Sequence, residues 1–143
     1  MILPDVNVLV QAFQPEGTHH ALCREWLERV VKGDSRFGMS PQALSGVVRI
    51  ATHPKIFPKP ATLDEALQAC EFLLQQPHCV VIQPGPRHWE IFSRLCTEAD
   101  ARGNLVQDAW YAALAIESGC EWITLDRNYA RFKGLRWSVP AHS

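Results

Sequence analysis

Three aspartates occur where an α/β sheet gathers its functional groups. Asp5 follows the apolar residues Ile2 and Leu3, and Asp126 follows an apolar run over residues 122–125. Asp108 falls in the first turn of a predicted helix, where the positive end of the helix dipole favours an ionised carboxylate. Because open α/β sheets bind ligands at the carboxyl ends of their strands, we expect the three side chains at one edge of the sheet.

Three carboxylates at one edge repel one another unless a cation neutralises them. Ligand sets made only of oxygen suit Mg²⁺ or Mn²⁺ better than Zn²⁺. A bound ion of this kind lowers the pKa of a water molecule and stabilises the charge that develops on a phosphate under attack. The aspartates therefore point to metal-dependent hydrolysis of a phosphodiester bond.

Each aspartate also has a purely structural explanation. Asp5 could be the N-cap of the helix that follows it, and Asp108 could simply be favoured by the helix dipole. Asp126 could open a turn with Asn128. The pattern alone leaves both explanations open, because the convergence of the three residues depends on an inferred topology.

The elements that must position these aspartates alternate along the chain. Continuous apolar runs predict strands at residues 2–3, 36–39, 79–82, 122–125 and 135–137, with the run 79–82 expected to be buried. Helical periodicity and capping signals predict helices in the first half of the chain at Val6–Phe13, from a Thr18 cap to Gly33, and at Pro41–Ala51 after Ser40. In the second half they predict helices from the Thr62-x-x-Glu65 capping box to Pro77, from Pro86 to Gly103, and over residues 105–117 after an Asn104 cap. A short helical turn is predicted at residues 128–132. This alternation predicts one domain over residues 1–143, a three-layer α/β/α sandwich with a mostly parallel central sheet.

Composition limits the partners and the compartment. The 14 Lys and Arg residues against 15 Asp and Glu give a net charge of -1, so any nucleic acid must be held by a local patch and not by a global basic excess. The five cysteines contain no C-x-x-C pair and predict buried free thiols. With no signal-peptide pattern at the N-terminus and no apolar stretch long enough for a membrane span, the chain is predicted to be cytoplasmic.

Several enzyme classes are excluded by the residues around the aspartates. A haloacid-dehalogenase-like phosphotransferase would carry a second acid at the position of Asn7, and a receiver domain would need a lysine after a late strand, where Arg127 follows Asp126. The chain contains no P-loop and no Gly-rich dinucleotide motif after the first strand. It also has no nucleophile elbow for Ser-His-Asp chemistry.

Three segments surround the aspartates with a distinctive pattern. They are LPDVNVLV from residue 3, GNLVQDA from residue 103 with AALAIE-x-G from residue 112, and TLDRNY-x-x-F from residue 124. Together with VRIATHP from residue 48 and P-x-H-W from residue 86, they cover nearly the whole chain in order. The combination resembles PIN domains, and most closely the VapC-type toxins.

The resemblance implies an activity and its partners. It implies that Asp5, Asp108 and Asp126 are catalytic and bind Mg²⁺ (or Mn²⁺). The protein would then be the toxin of a type II toxin-antitoxin system, an endoribonuclease that cleaves structured RNA. The resemblance further implies a cognate antitoxin that inserts a segment into the active-site groove, and a homodimer.

Residues near the aspartates are candidates for supporting roles. Asn7, Thr124 and Asn128 are candidates for hydrogen bonds to the metal-binding carboxylates. Arg49, Arg127 and Arg131 are candidates for contacts to RNA phosphates. Single arginines are more often solvated surface residues, and that alternative stays open.

Two positions depart from the family pattern. Gly46 stands three residues before Arg49, where many PIN domains have a glutamate, and Asn128 stands where a further acid is frequent. These departures motivate an alternative, a PIN-like domain with weak or no catalysis that acts as a binding or regulatory module. A glycine inside a helix also costs about 1 kcal/mol relative to alanine, so Gly46 has close packing as a second explanation.

Overall fold

The strands run parallel and form two ladders that lie side by side. The computed structural model describes residues 1–142, and in this range the strands are β1 (Ile2–Pro4), β2 (Phe37–Met39), β3 (Cys79–Val81), β4 (Glu121–Ile123) and β5 (Trp137–Ser138). One ladder has the order β1-β4-β5, and the other pairs β2 with β3. Strand β2 lies next to β1. The carboxyl ends of β1 and β4 therefore open at the same edge of the sheet.

Helices cover both faces of the sheet. They are α1 (Val6–Phe13), α2 (His20–Lys32), α3 (Pro41–Ala51), α4 (Leu63–Leu74), α5 (His88–Ala99), α6 (Asn104–Ser118) and a 3₁₀ helix (Arg127–Arg131). Leu3 and Trp122 pack with α5 and α6, whereas Ile123 packs with α1 to α4, because neighbouring residues of a strand point to opposite faces. The predicted three-layer α/β/α architecture with a parallel sheet is confirmed. The prediction of a single domain over residues 1–143 stays a prediction.

Two of the predicted helix starts have the expected side-chain caps. The Ser40 hydroxyl accepts a hydrogen bond from the backbone N–H of Ala43 at 3.2 Å. Thr62 and Glu65 form the reciprocal capping box, with bonds of 3.1 and 3.0 Å. These signals were local, and local hydrogen bonds satisfy them.

The caps predicted at Thr18 and Asn104 are wrong. Helix α2 begins after His19, and the side chain of His19 does not cap it. The backbone N–H of His19 donates to Oε1 of Gln11, a residue of α1, at 2.8 Å. Helix α6 begins after Gly103, which has a φ of 57° that favours glycine, and Asn104 is the first helical residue.

The predicted bounds of α5 are also wrong at both ends. The Glu117 carboxylate accepts the backbone N–H groups of Gly85 at 2.7 Å and Arg87 at 2.9 Å, which holds Pro86 in the loop before the helix. The helix ends at Asp100, which adopts the left-handed conformation with a φ of 47°, and not at Gly103.

The sheet differs from the prediction at its strand ends. The segment 79–82 was predicted to be a buried strand, but β3 pairs with β2 alone and the side chain of Val81 is 48% exposed. Strand β4 covers residues 121–123 and not 122–125, and β5 covers residues 137–138 and not 135–137. Apolar runs mark the positions of these strands well, but the hydrogen-bonding partners decide where each strand ends.

The five cysteines were predicted to be buried free thiols, and the predicted burial holds for three of them. All five cysteines are free; Cys23, Cys70 and Cys120 are buried, while Cys79 and Cys96 are partly exposed. Between residues 1 and 142, none of the helices is both long enough and apolar enough to cross a bilayer.

Gly46 lets α3 approach α1 closely. A Cβ atom added at Gly46 would stand 3.0 Å from Cγ2 of Val6 and 3.3 Å from its Cγ1, closer than side-chain atoms normally pack. The structure therefore supports the packing explanation for this glycine. The same contact sets the spacing between two helices that border the cleft described below.

We expect Gly46→Ala to stabilise the protein more when Val6 is made smaller. In a Val6→Ala background the substitution should add about 1 kcal/mol to the free energy of unfolding, the usual gain of alanine over glycine in a helix. In the wild type, contact with Val6 should cancel at least about half of that gain. Urea unfolding of the four proteins measures the coupling. Equal effects of Gly46→Ala in both backgrounds would contradict close packing as the reason for the glycine.

Candidate active site

A cleft of about 480 Å³ opens at the carboxyl ends of β1 and β4, and all three candidate aspartates line it. Asp5 follows β1, Asp126 follows the segment after β4, and Asp108 projects from α6. Helices α1 and α3 form the remaining wall. The structure thus brings together at one edge of the sheet three carboxylates that are up to 121 positions apart in the sequence.

Asp5 is both the cap of α1 and a lining residue of the cleft. Its Oδ1 accepts the backbone N–H of Val6 at 2.6 Å, and its own N–H donates to the Ile123 carbonyl at 2.8 Å. Only 6% of the residue is exposed. The capping explanation and the functional one therefore do not exclude each other, because one carboxylate oxygen caps the helix and the other remains for a second partner.

Thr124 supplies that second partner. Its hydroxyl donates to Oδ2 of Asp5 at 2.7 Å and accepts the backbone N–H of Asp126 at 3.0 Å. Thr124 itself is fully buried and does not line the cleft. It was predicted to bond to the carboxylates, and its single hydroxyl contacts one of them directly and fixes the backbone of another.

Asn7 reaches the carboxylates only through Thr124. Its Nδ2 donates to the Thr124 hydroxyl at 3.3 Å, and its Oδ1 accepts the backbone N–H of Leu125 at 3.1 Å. The side chain therefore ties the start of α1 to the segment after β4. The predicted hydrogen bond from Asn7 to a carboxylate is therefore not made directly, and its role in supporting the site stays a prediction.

Asp126 caps the 3₁₀ helix, and Asn128 contributes its backbone to that cap. Oδ1 of Asp126 accepts the N–H of Asn128 at 2.9 Å. The bond predicted for the Asn128 side chain is thus made by its backbone amide. Because a backbone amide makes this bond, the contact does not depend on the asparagine side chain.

Asp108 lies just beyond the first turn of its helix, in which it was predicted. It is the fifth residue of α6, so it falls in the second turn and away from the unpaired N–H groups at the helix start. The hydroxyl of Tyr129 donates to its Oδ1 at 3.2 Å. A tyrosine hydroxyl, and not the helix dipole, is therefore the polar contact that the structure gives this carboxylate.

Burial dominates the electrostatics of the aspartates. It is the largest cause that raises the pKa of Asp5 from its ordinary 3.8 to about 6; the charges of Asp108 and Asp126 act in the same direction, and the bonds from Thr124 and Val6 oppose it. Burial also raises the pKa of Asp108, against the lowering effect of the Tyr129 hydroxyl. Burial thus acts against the ionised form of Asp108, which the helix start was expected to favour.

Several residues that line the cleft were not among the predicted site residues. The two tyrosines, Tyr111 and Tyr129, are both buried, and Gln42, Ser45 and Gln107 add neutral polar groups to the wall. A hydrogen bond with Gln107 acts on the pKa of Tyr111, which burial raises. Tyr129 stands three residues after Asp126, and this spacing is the signal in the sequence that could have identified it.

Of the three candidate arginines, only Arg49 lines the cleft. Arg131 lies outside the lining, where its Nε donates to the carbonyl of Asn128 at 3.2 Å, and its charge lowers the pKa of Asp108. Arg127 is exposed at the start of the 3₁₀ helix and does not line the cleft.

The donor atoms of the cleft fit a hard divalent cation. Three carboxylates with neutral amide and hydroxyl oxygens nearby are the ligand types that Mg²⁺ and Mn²⁺ prefer. Burial raises the pKa of Asp5, so its ionised carboxylate carries an electrostatic cost that a bound cation would reduce. The side chains are not closed around one point, since residues 1–142 contain no group of three His, Cys, Asp or Glu side chains placed to hold a metal ion.

Comparison with known proteins agrees with the architecture. The family model described as "PIN domain" matches residues 2–135. The VapC ribonuclease Mb2897 of Mycobacterium bovis is 39% identical over 140 residues, which cover 98% of this chain and 95% of that protein.

Solved structures share the fold at much lower identity. The structure of VapBC2 from Rickettsia felis bound to a DNA fragment from its promoter gives a TM-score of 0.70 at 18% identity, covering 97% of this chain and 98% of that one. A toxin-antitoxin complex from Klebsiella pneumoniae gives a TM-score of 0.64 at 18% identity and covers both chains in full.

We predict that Thr124→Val destabilises the protein by about 1 to 3 kcal/mol, because the buried N–H of Asp126 and the Asp5 carboxylate each lose a hydrogen-bond partner. It should also raise the pKa of Asp5, since the Thr124 bond lowers that pKa. Thr124→Ser keeps the hydroxyl and is the matched control, so its stability should follow the same pH profile as the wild type. Urea unfolding between pH 4 and pH 8 makes the comparison. Identical pH profiles for the two variants would argue against the hydroxyl as the source of the effect.

We predict that Asp5→Asn stabilises the metal-free protein above pH 7. In the wild type the folded-state pKa is near 6 and the unfolded value is 3.8, so stability is full below about pH 4 and falls as the pH rises through 6. Removing the ionisable group should therefore add on the order of 2 kcal/mol at pH 8 in EDTA and nothing at pH 4. Asp34→Asn, at an exposed aspartate, is the control. A gain of equal size at both pH values would refute the electrostatic origin.

Proposed function

The chain belongs to the PIN domain family, and on that basis we propose that it is a metal-dependent endoribonuclease, the toxin of a type II toxin-antitoxin pair. The observation that carries the proposal is the lining of one cleft by Asp5, Asp108 and Asp126 in a chain similar over 98% of its length to a VapC ribonuclease. Fold likeness alone would not suffice, because one fold hosts many functions.

The three aspartates are the residues that would hold a divalent cation, Mg²⁺ or Mn²⁺. When bound there, the ion supplies an activated water and neutralises charge on the phosphate. Asp5 is prepared for such a partner because its carboxylate is buried and its cap and Thr124 bonds already fix its orientation. Its raised pKa means that a cation competes with a proton for this carboxylate near pH 6.

RNA would be held by local contacts. The net charge of -1 provides no general attraction to a polyanion, and Arg49 is the cation among the residues that line the cleft. Its guanidinium can form paired hydrogen bonds to a phosphate in the cleft. Arg127 and Arg131, on the 3₁₀ helix that Asp126 caps, would extend the path of the RNA backbone outside the cleft.

The proposed protein partner is an antitoxin that inserts a segment into the cleft. Structures of the same fold include a toxin-antitoxin complex, and a cleft with three carboxylates and one arginine among its lining residues suits a segment that carries positive charge. Assembly of the toxin as a homodimer stays a prediction from the family resemblance.

We expect the purified protein to cleave structured RNA in Mg²⁺ or Mn²⁺ and to stop in EDTA. Asp5→Asn, Asp108→Asn and Asp126→Asn should each lower the cleavage rate by at least about 100-fold, which exceeds the usual effect of losing only an outer hydrogen bond to a metal ligand. Asp5→Asn should also remove growth arrest on expression in bacteria. Cleavage rates of folded variants, with Asp34→Asn as the surface control, measure the effect.

Two results would contradict the proposal in different ways. Cleavage that survives Asp5→Asn would exclude this cleft as the active site. If the wild type shows neither cleavage nor stabilisation by added metal, the binding module without catalysis becomes the better description, in line with the missing acid at Gly46. Mapping the ends of the RNA fragments would define the cleavage site.

A further inference from the structure

Tyr129 connects two of the aspartates of the cleft. Its hydroxyl donates to Oδ1 of Asp108 at 3.2 Å, while its backbone N–H donates to the carbonyl of Asp126 at 3.3 Å. The two aspartates come from different elements, α6 and the start of the 3₁₀ helix. Tyr129 thus links the side chain of Asp108 to the backbone of Asp126.

The ring of Tyr129 is held firmly by its neighbours. Only 2% of the residue is exposed, and its ring centroid lies 5.6 Å from that of Trp122 and 5.8 Å from that of Phe132. A ring packed on two sides keeps its hydroxyl oxygen beside Asp108. The phenol therefore has a fixed position from which to donate.

The hydroxyl stays protonated in this setting. Burial raises the pKa of Tyr129, and the negative charges of Asp5, Asp108 and Asp126 raise it further. A protonated phenol can donate a hydrogen bond to a carboxylate. The hydrogen bond to Asp108 is therefore available throughout the neutral range.

Asp108 has particular need of such a contact. Its carboxylate is partly buried, and the charge of Asp126 acts on it unfavourably. In the absence of a donor, repulsion would favour rotamers that turn the carboxylate out of the cleft towards water. Asp5 is held by two hydrogen bonds from its own end of the site, but Asp108 is not part of that network.

We propose that Tyr129 is a positioning residue whose hydroxyl keeps the Asp108 carboxylate turned towards Asp126, so that the affinity of the cleft for a divalent cation depends on it. The inference rests on the proposed function, since it concerns the same three aspartates. Tyr129 would act on the ion through Asp108 and not by direct contact.

The test is the affinity of Tyr129→Phe for Mn²⁺, measured by the loss of the free-ion EPR signal. The substitution keeps the ring against Trp122 and Phe132 and removes only the hydroxyl. We expect the Kd for Mn²⁺ to rise about tenfold, the lower end of what the loss of a hydrogen bond to a metal ligand costs. Raising the Mn²⁺ concentration should then restore most of the cleavage rate, with the KM for RNA unchanged.

Tyr111→Phe is the matched control for metal affinity. Tyr111 is the other buried tyrosine of the cleft, and its hydrogen bond is with Gln107 and not with an aspartate. Its Kd for Mn²⁺ should stay within about twofold of the wild type, since no metal ligand loses a hydrogen bond. A Kd for Tyr129→Phe that is equally unaffected would overturn the proposal.

A double-mutant cycle with Asp108→Asn separates this inference from the proposed function. In the Asp108→Asn background, Tyr129→Phe should not weaken Mn²⁺ binding further. If the wild type binds no Mn²⁺, the proposed function fails, and the cycle is then measured as thermal unfolding midpoints of the metal-free proteins. Non-additive midpoints support the Tyr129–Asp108 contact, whereas additive midpoints refute it. The unfolding midpoints also test the contact if Tyr129→Phe is too unstable to bind metal, because they are measured without metal.

Discussion

The hydrogen bond between the Thr124 hydroxyl and the buried carboxylate of Asp5 is the contact around which the cleft is organised. It joins the end of β1 to the segment after β4, two parts of the chain that lie 119 residues apart. The same hydroxyl accepts hydrogen bonds from the Asp126 backbone and the Asn7 side chain. A single oxygen therefore fixes the two strand ends relative to each other, and the start of α1 with them.

The site combines this rigid support with an unfavourable charge distribution. Burial and mutual repulsion raise the pKa of Asp5 and Asp108, so the folded chain holds its carboxylates at an electrostatic cost. Such a cost is typical of sites where the missing favourable interaction comes from a ligand. The parallel sheet, the Asp5 cap and the aromatic packing around Tyr129 supply the stability that offsets it. In the proposed nuclease, a cation bound between the aspartates would offset this cost.

The sequence predicted the architecture well, and it placed the three aspartates at one edge of the sheet as the structure does, because both depend on local patterns. Apolar runs placed the strands, and the position of Asp5 and Asp126 after two of them placed both carboxylates at one edge of the sheet. The errors arose where distant residues decide local structure. Gln11 takes over the cap of α2, and Glu117 holds the loop before α5.

The chemistry of individual side chains was harder to predict for the same reason. Asp108 was expected to be favoured by the helix dipole, but its hydrogen bond comes from Tyr129, which lies 21 residues away in another element. Likewise, Asn7 acts through Thr124 and not on a carboxylate. The types and order of the residues indicate which side chains come together. Which of them donates a hydrogen bond to which depends on interatomic distances, and a sequence pattern does not give these.

The contact between Gly46 and Val6 has a consequence for how such a cleft can change during evolution. A glutamate at position 46 would add a carboxylate to the wall, but its Cβ would stand 3.0 Å from a methyl group of Val6. The substitution becomes less costly if Val6 has first been replaced by a smaller residue. The order of two mutations thus decides which intermediate is stable. A protein with glycine at position 46 can therefore gain an acid there more readily if Val6, in the neighbouring helix, is replaced first.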